Sequence, residues 1–145
     1  MNTTVRQLIQ RKGNDVWTVK PDQTVFDALS LMAEKKIGAL LVFDDDQLVG
    51  IFSERDYARK VILKGKSSRD TAVGEIMTEN VVCIRPVQSM SDCMALMTDK
   101  RIRHLPILDD NQIIGVISIG DVVKEIISEQ EFVIGQLENY ITGGR

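Results

Sequence analysis

Shifted by 65 residues, this chain overlays itself. Pro21 falls on Pro86, and Trp17–Tyr57 aligns with Val82–Val122 without a gap. Fourteen of those 41 positions are identical, among them Asp27/Asp92, Leu31/Leu96, Met32/Met97, Ile37/Ile102, Leu40/Leu105, Gly50/Gly115, Ser53/Ser118 and Asp56/Asp121. Most others are conservative, such as Val42/Ile107 and Ile51/Val116. A match that long is a duplication, which restricts the chain to folds that use one supersecondary unit twice. Upstream, Val5-Arg-Gln-Leu-Ile9 resembles Val73-Gly-Glu-Ile-Met77, but three extra residues around Lys12–Asn14 break the register.

Each copy reads alike. A short apolar strand, Val16–Val19 or Val81–Ile84, runs into Pro21 or Pro86, which ends it for want of an amide donor. Thr24 and Ser89 are placed as helix N-caps, with Asp27 and Asp92 three residues on favouring the positive helix end. Val25, Ala28, Leu29 and Met32 line one helix face, matched by Met90, Cys93, Met94 and Met97. Two strands follow, Ala39–Phe43 with Leu48–Phe52 and Leu105–Leu108 with Ile113–Ile117. They are joined by turns rich in Asp and Asn, which tolerate left-handed geometry. Helices over Glu54–Leu63 and from Ile119 to about Ile141 close the units. The fold class is α+β, in the order strand, helix, strand, strand, helix, twice. The domains divide as residues 1–65, the first repeat with an N-terminal helix, and 66–145, the linker, the second repeat and an extended last helix.

Composition excludes several classes. With 18 Lys and Arg against 21 Asp and Glu, the net charge of −3 gives no pull towards nucleic acid or anionic membrane. One Trp, two Tyr and four Phe are too few for a base-stacking surface. No stretch approaches the roughly 20 apolar residues of a membrane helix, and Met1–Gln10 has no leader-like apolar run or cleavage site. Lys64–Thr71 reads as a linker. Its charges, Lys64, Lys66 and Arg69 with nearby Lys60 against Asp70, resemble a nucleic-acid patch but lack interleaved aromatics. Cys83 and Cys93 form no C-x-x-C and read as reduced small hydrophobes of a cytoplasmic protein, a redox role being the alternative. The aspartates at 44–46 and 109–110 lack the spacing and glycine of a calcium loop. No phosphate-cradling Gly-x-x-x-x-Gly-Lys, G-x-S-x-G elbow or paired metal motif is present, so the chain is read as no enzyme.

Two segments remain for chemistry, Gly50-Ile-Phe-Ser-Glu-Arg-Asp56 and Gly115-Val-Ile-Ser-Ile-Gly-Asp121. Each has a glycine inside a strand, where a ligand or another backbone commonly comes close. Each has a serine where strand becomes helix and free amides favour a phosphate. The aspartate three residues on can accept the two hydroxyls of a ribose. Ser-x-x-Asp is also a capping box that needs no ligand, and Thr24-x-x-Asp27 and Ser89-x-x-Asp92 use that spacing for caps. Recurrence of Gly-x-x-Ser-x-x-Asp at both strand-to-helix junctions is what favours binding.

The order of these motifs, with Val73-x-x-Ile-Met-Thr78 and Met97-x-x-x-x-Ile-Arg-His-Leu-Pro-Ile107, resembles a pair of CBS domains over about Val5–Glu125. The resemblance implies two repeats packed about a pseudo-two-fold axis, leaving two related clefts, and a disc-like homodimer. It implies adenosine ligands: AMP, ADP, ATP, NAD(H) or S-adenosylmethionine. Carried over position by position, it places Ser53, Asp56, Ser118 and Asp121 on phosphate and ribose. Arg103 and His104 fall on phosphate, and Pro106, Thr18, Val19, Cys83 and Ile84 line the adenine slot. The first copy has Gly38-Ala39-Leu40-Leu41 where the second has Arg103-His104-Leu105-Pro106. Its phosphate charge must then come from Arg55, Arg59, Lys36 or the other half, and the two sites are expected to be unequal. His104 is the sole histidine, either a phosphate contact or a surface residue opening a strand.

The expected function is a nucleotide-responsive regulator that needs no cofactor and acts on a separate, unidentified target protein. The alternative is a ligand-independent protein-interaction or nucleic-acid-binding module. The last helix carries Val122, Val123, Ile126, Ile127, Val133, Leu137, Tyr140 and Ile141, more apolar surface than one repeat covers. It docks either on the sibling repeat or on a second subunit, with Phe132 and Tyr140 as anchors. Gly143-Gly-Arg145 is expected to fray.

Overall fold

Proline and a capping hydroxyl open each repeat's first long helix. In the computed structural model, which describes residues 3–142, Thr24 and Ser89 each accept the backbone N–H of the aspartate three residues on, at 3.1 Å in both copies. The expectation for residues 143–145 lies outside the described residues. The elements are α1 (Val5–Lys12), β1 (Thr18–Val19), α2 (Val25–Lys35), β2 (Ala39–Asp44), β3 (Gln47–Ser53) and α3 (Glu54–Lys60). A 3-10 turn over Ile62–Lys64 leads to α4 (Val73–Ile76), then α5 (Met90–Lys100), β4 (His104–Asp109), β5 (Gln112–Ser118) and α6 (Ile119–Ile141). Both α2 and α5 stop on a left-handed residue, Lys36 and Arg101, which are equivalent under the repeat.

The two hairpins are copies down to their irregularities. Each β2–β3 and β4–β5 ladder is antiparallel and slips by one residue, between Val42 and Phe43 and between Ile107 and Leu108. Val49 and Ile114 are therefore bulge residues, a device that bends and twists the strand. The second hairpin turns through Asp110 and Asn111, both with positive φ, the backbone that a two-residue turn between right-twisted strands requires.

One expected strand is reduced. Thr18–Val19 pairs parallel with β2, whereas Val81–Ile84 forms no strand and contributes the single bridge Ile84↔Ile107. The cause is a side chain. In the first repeat the Leu41 N–H donates to the Trp17 carbonyl at 3.3 Å. The equivalent of Leu41 is Pro106, which has no N–H to donate, so the second ladder is cut to the bonds around Ile84.

The chain forms two compact units. One comprises Asp15–Val82. The other joins the described residues up to Asn14 to those from Cys83 onward. α1 thus packs with the second repeat, while α4 packs with the first. The docking bonds correspond residue for residue. Val73 N–H donates to Gln23 O and Gly74 N–H to Pro21 O, both at 2.8 Å, while Val5 N–H donates to Gln88 O at 2.8 Å and Arg6 N–H to Pro86 O at 3.0 Å. Local periodicity finds α1 but cannot say which of two near-identical seats it takes. Charge distinguishes them: Arg11 of α1 meets Glu125 at 2.5 Å, and the first-repeat equivalent of Glu125 is Lys60, a like charge.

In the Asp15–Val82 unit the buried core is Val19, Val25, Ala28, Met32, Leu40, Val42, Phe52, Val61, Val73 and Ile76. The other unit buries the matching Ile84, Met90, Cys93, Met97, Leu105, Ile107 and Ile117, with Val5 and Leu8 of α1. Each fully buried aliphatic or aromatic side chain contributes about 1.5–3 kcal/mol relative to exposure. The helices docked on each hairpin are therefore structural parts of the fold. The 64–71 linker is also tied down: Ser68 and Thr71 carbonyls accept the Phe26 and Val25 N–H groups, and the Arg69 guanidinium lies 3.9 Å from the Phe26 ring centroid.

Candidate functional site: a serine and an aspartate at each strand-to-helix junction

Ser53 and Ser118 end β3 and β5 in extended conformation and cap the helix that follows. In both copies the box is closed. Asp56 N–H donates to Ser53 Oγ at 3.2 Å, and Ser53 N–H donates to Asp56 Oδ2 at 2.9 Å. Asp121 N–H donates to Ser118 Oγ at 3.2 Å and Ser118 N–H to Asp121 Oδ2 at 2.8 Å. The capping reading of Ser-x-x-Asp is thus realised. What can further be done with each aspartate depends on its second oxygen.

The copies part there. Asp56 Oδ1 accepts the Thr78 hydroxyl at 3.2 Å and the Lys60 ammonium at 3.1 Å. Both oxygens are engaged, and the side chain is 11% exposed. Asp121 places Oδ2 against both the Ser118 N–H and the Lys12 ammonium. Its Oδ1 makes no hydrogen bond among the described residues, and the side chain is 24% exposed. Burial raises the Asp121 pKa, but hydrogen bonds from Lys12 and Ser118 and the Lys12 charge outweigh it, so the carboxyl is held below its usual range.

Of the two occupants expected over the strand-borne glycines, a ligand or another part of the chain, the structure shows the second. A Cβ on Gly50 would lie 2.5 Å from Met77 Sδ and 3.0 Å from the Thr78 carbonyl, and one on Gly115 would lie 2.4 Å from Ile9 Cδ1. Ile9 and Met77 are partners in the Val5–Ile9/Val73–Met77 match. The protein's own helical segments, not a ligand, occupy the space over each glycine.

His104 stands opposite Ser118 in the β4–β5 ladder, so the hairpin brings it to the capping box. Burial, then the positive charges of Lys12 and Arg103 against the opposing pull of Asp121, hold its pKa below the ordinary value. In the first repeat the residue opposite Ser53 is Ala39. Arg103 is exposed and its carbonyl receives the Ile119 N–H at 2.8 Å. Arg55 is half-buried, and Arg59 and Lys36 are exposed. Among the residues expected to line an adenine slot, Val19, Ile84 and Pro106 are buried, leaving Thr18 and Cys83 with accessible side chains. Lys12 and Lys60, which contact the two aspartates, were not picked out by motif. Lys60 is legible as a lysine one turn after Asp56, but Lys12 lies 109 residues from its partner and leaves no local signal.

A duplicated α+β unit with a capped acidic residue after each hairpin points to a family, and the chain belongs to it: residues 5–63 and 73–128 match the CBS domain. The chain is 40% identical over 153 residues to the mitochondrial CBS domain-containing protein CBSX3 of Arabidopsis thaliana, spanning 99% of this chain and 74% of that one. It is similar in structure to the CBS-domain containing protein ATU1752 of Agrobacterium tumefaciens, with TM-score 0.81, 41% identity and coverage of 85% and 98%. The CBS domain pair of protein MJ0100, seen with 5-methylthioadenosine and S-adenosyl-L-methionine, shares the fold at TM-score 0.77 and 21% identity, covering 89% of this chain and 99% of that one. CBS pairs are regulatory modules that often bind adenosine ligands. No described helix is long and apolar enough to cross a membrane.

Proposed function

We propose that this protein is a non-catalytic sensor of an adenine nucleotide, AMP, ADP, ATP or NAD(H), that reads the ligand chiefly through its second repeat. It then acts on a separate target protein. The observation that carries this reading is the asymmetry of the two carboxylates. Asp121 keeps an unengaged oxygen beside Ser118, His104 and Arg103, at the N-terminal end of a helix of 23 residues. Asp56 has both oxygens committed. Ribose hydroxyls need a free acceptor, and phosphates favour a helix N-terminus with cations near it. MJ0100, which shares the fold, holds two adenosine compounds.

Ligand at 100 times its dissociation constant adds about 2.7 kcal/mol to stability, so thermal shift with AMP, ATP, NADH and S-adenosylmethionine is a sensitive screen. A shift abolished by Asp121→Ala but kept in Asp56→Ala supports the reading. No shift with any adenosine compound at millimolar concentration overturns it, and turnover of a bound nucleotide would restore catalysis as the alternative.

The cytoplasmic location stays part of this reading; Cys93 is buried, with its thiol pushed up to about 12 by burial and by Asp92, which suits a small core hydrophobe better than a reactive thiol. The outer half of α6 supports homodimerisation: Phe132, Leu137, Tyr140 and Ile141 are exposed, a patch of the kind that marks a protein interface. That patch would equally serve the ligand-independent interaction reading, in which target binding ignores Asp121.

A further inference from the structure

We infer that Lys12 is a built-in occupant of the second repeat's carboxylate site, and that it makes the site select nucleotides over nucleosides. This deepens the adenine-nucleotide reading and rests on it. Lys12 is the last residue of α1, and its ammonium donates to Asp121 and, at 2.7 Å, to the Val116 carbonyl. It therefore holds Oδ2 while Oδ1 stays open, so Asp121 can accept both hydroxyls of a ribose only by releasing it. Its side chain is 35% exposed, so the contact can open to solvent without unfolding α1, which Val5 and Leu8 anchor in the core.

The neighbours decide what opening costs. Arg103 and His104 are the other basic groups at this place, and both Lys12 and Arg103 already disfavour a charge on His104. An ammonium freed from Asp121 would face the Arg103 charge, and the carboxylate one turn along α6, Glu125, is already held by Arg11. A nucleoside that takes Asp121 with its hydroxyls offers no replacement, and it pays the full cost of breaking the ion pair. A nucleotide brings a phosphate, to which Lys12 transfers. Selectivity then comes from a penalty on the wrong ligand as much as from contacts to the right one.

The first repeat has no such exchange. Its cation is Lys60, one turn along the same helix as Asp56 and held also by the Ile76 carbonyl at 3.1 Å. Under the 65-residue shift Lys60 becomes Glu125, so the second repeat has lost its internal lysine, and the cation arrives from α1 instead.

The test is calorimetry of the whole chain with adenosine and with ATP, on wild type, Lys12→Met, Lys12→Arg and Asp121→Asn. Lys12→Met should tighten adenosine and weaken ATP, each by a factor of about three to five, the size of a half-exposed ion pair. The preference for ATP then falls about tenfold, and Lys12→Arg retains it. An unchanged preference in Lys12→Met, with Asp121→Asn still weakening both ligands, overturns the role of Lys12 and leaves the nucleotide reading standing. Binding of neither ligand to wild type overturns that reading itself, and this inference with it.

Discussion

Gly115 and Ile9 lie so close that a methyl group on the glycine would sit 2.4 Å from the isoleucine Cδ1. The strand is bare at that point so that α1 can lie against it. We expect Gly115→Ala to cost about 1 kcal/mol, because the atom it meets is the far end of the half-buried Ile9 side chain, which can turn aside. Hydrogen exchange in α1 should rise, and Ile9→Ala added to Gly115→Ala should recover part of the loss. Urea denaturation of the single and double variants checks it. Independent, additive losses would show that the two do not share one space.

Asp121 and Asp56 should separate two roles that the motif confounds. Both close a capping box, so Ser53→Ala and Ser118→Ala should each lose about 1 kcal/mol of stability whether or not ligand is present. Only Asp121→Ala should also remove the thermal response to nucleotide. Differential scanning calorimetry with and without ATP measures both effects on the same samples.

Stability should fall as pH drops past the ordinary histidine range. The folded-state pKa of His104 is below 6.5, so the unfolded chain binds the proton first. Its contribution is complete above about pH 6.5 and is lost as pH falls from there towards the lower folded value. Urea midpoints should be lower at about pH 5.5 than at about pH 7.5, and His104→Gln should flatten that difference. Asp121 acts at lower pH: its contribution is present above 3.8 and disappears as pH falls through its depressed folded value. Carboxyl NMR should find the Asp121 titration moved upward in Lys12→Met.

If phosphate docks beside His104, its charge must pull the imidazole pKa back up. ATP binding near neutral pH should then take up protons, and adenosine binding should not. Calorimetry in two buffers of different ionisation enthalpy reads this directly. Equal proton uptake for both ligands would place the phosphate elsewhere.

Serine at Phe132, Leu137 and Tyr140 together should shift the protein to monomer in sedimentation equilibrium with little loss of melting temperature, because those side chains are exposed. A wild-type monomer at high concentration would refute the dimer and leave the patch to another partner.

The parts of this fold that were legible in the sequence are those written locally. Thr24 and Ser89 announce their helices through the cap, and short continuous apolar runs mark both hairpins. The repeat then confirms each reading by its copy. Ser53 and Asp56 were legible as a pair, but not which of their oxygens would be spent. That depends on Thr78 and Lys60 in one unit and on Lys12 in the other. Val81–Ile84 misled because strand propensity belongs to its own residues, whereas the missing bond belongs to Pro106. The seat of α1 was illegible for a related reason: Arg11 and Glu125 are adjacent only after folding, and the motif around Val5 fits either repeat.

The crossed placement of α1 and α4 sets an order of assembly during synthesis. The first repeat is complete once α4 has left the ribosome, and can close on it at once. α1, made before the first repeat, must wait until the segment from Cys83 to α6 emerges. α1 is thus among the last elements to find its place. For the same reason, cutting at residue 65 would leave two pieces, each carrying the other's helix.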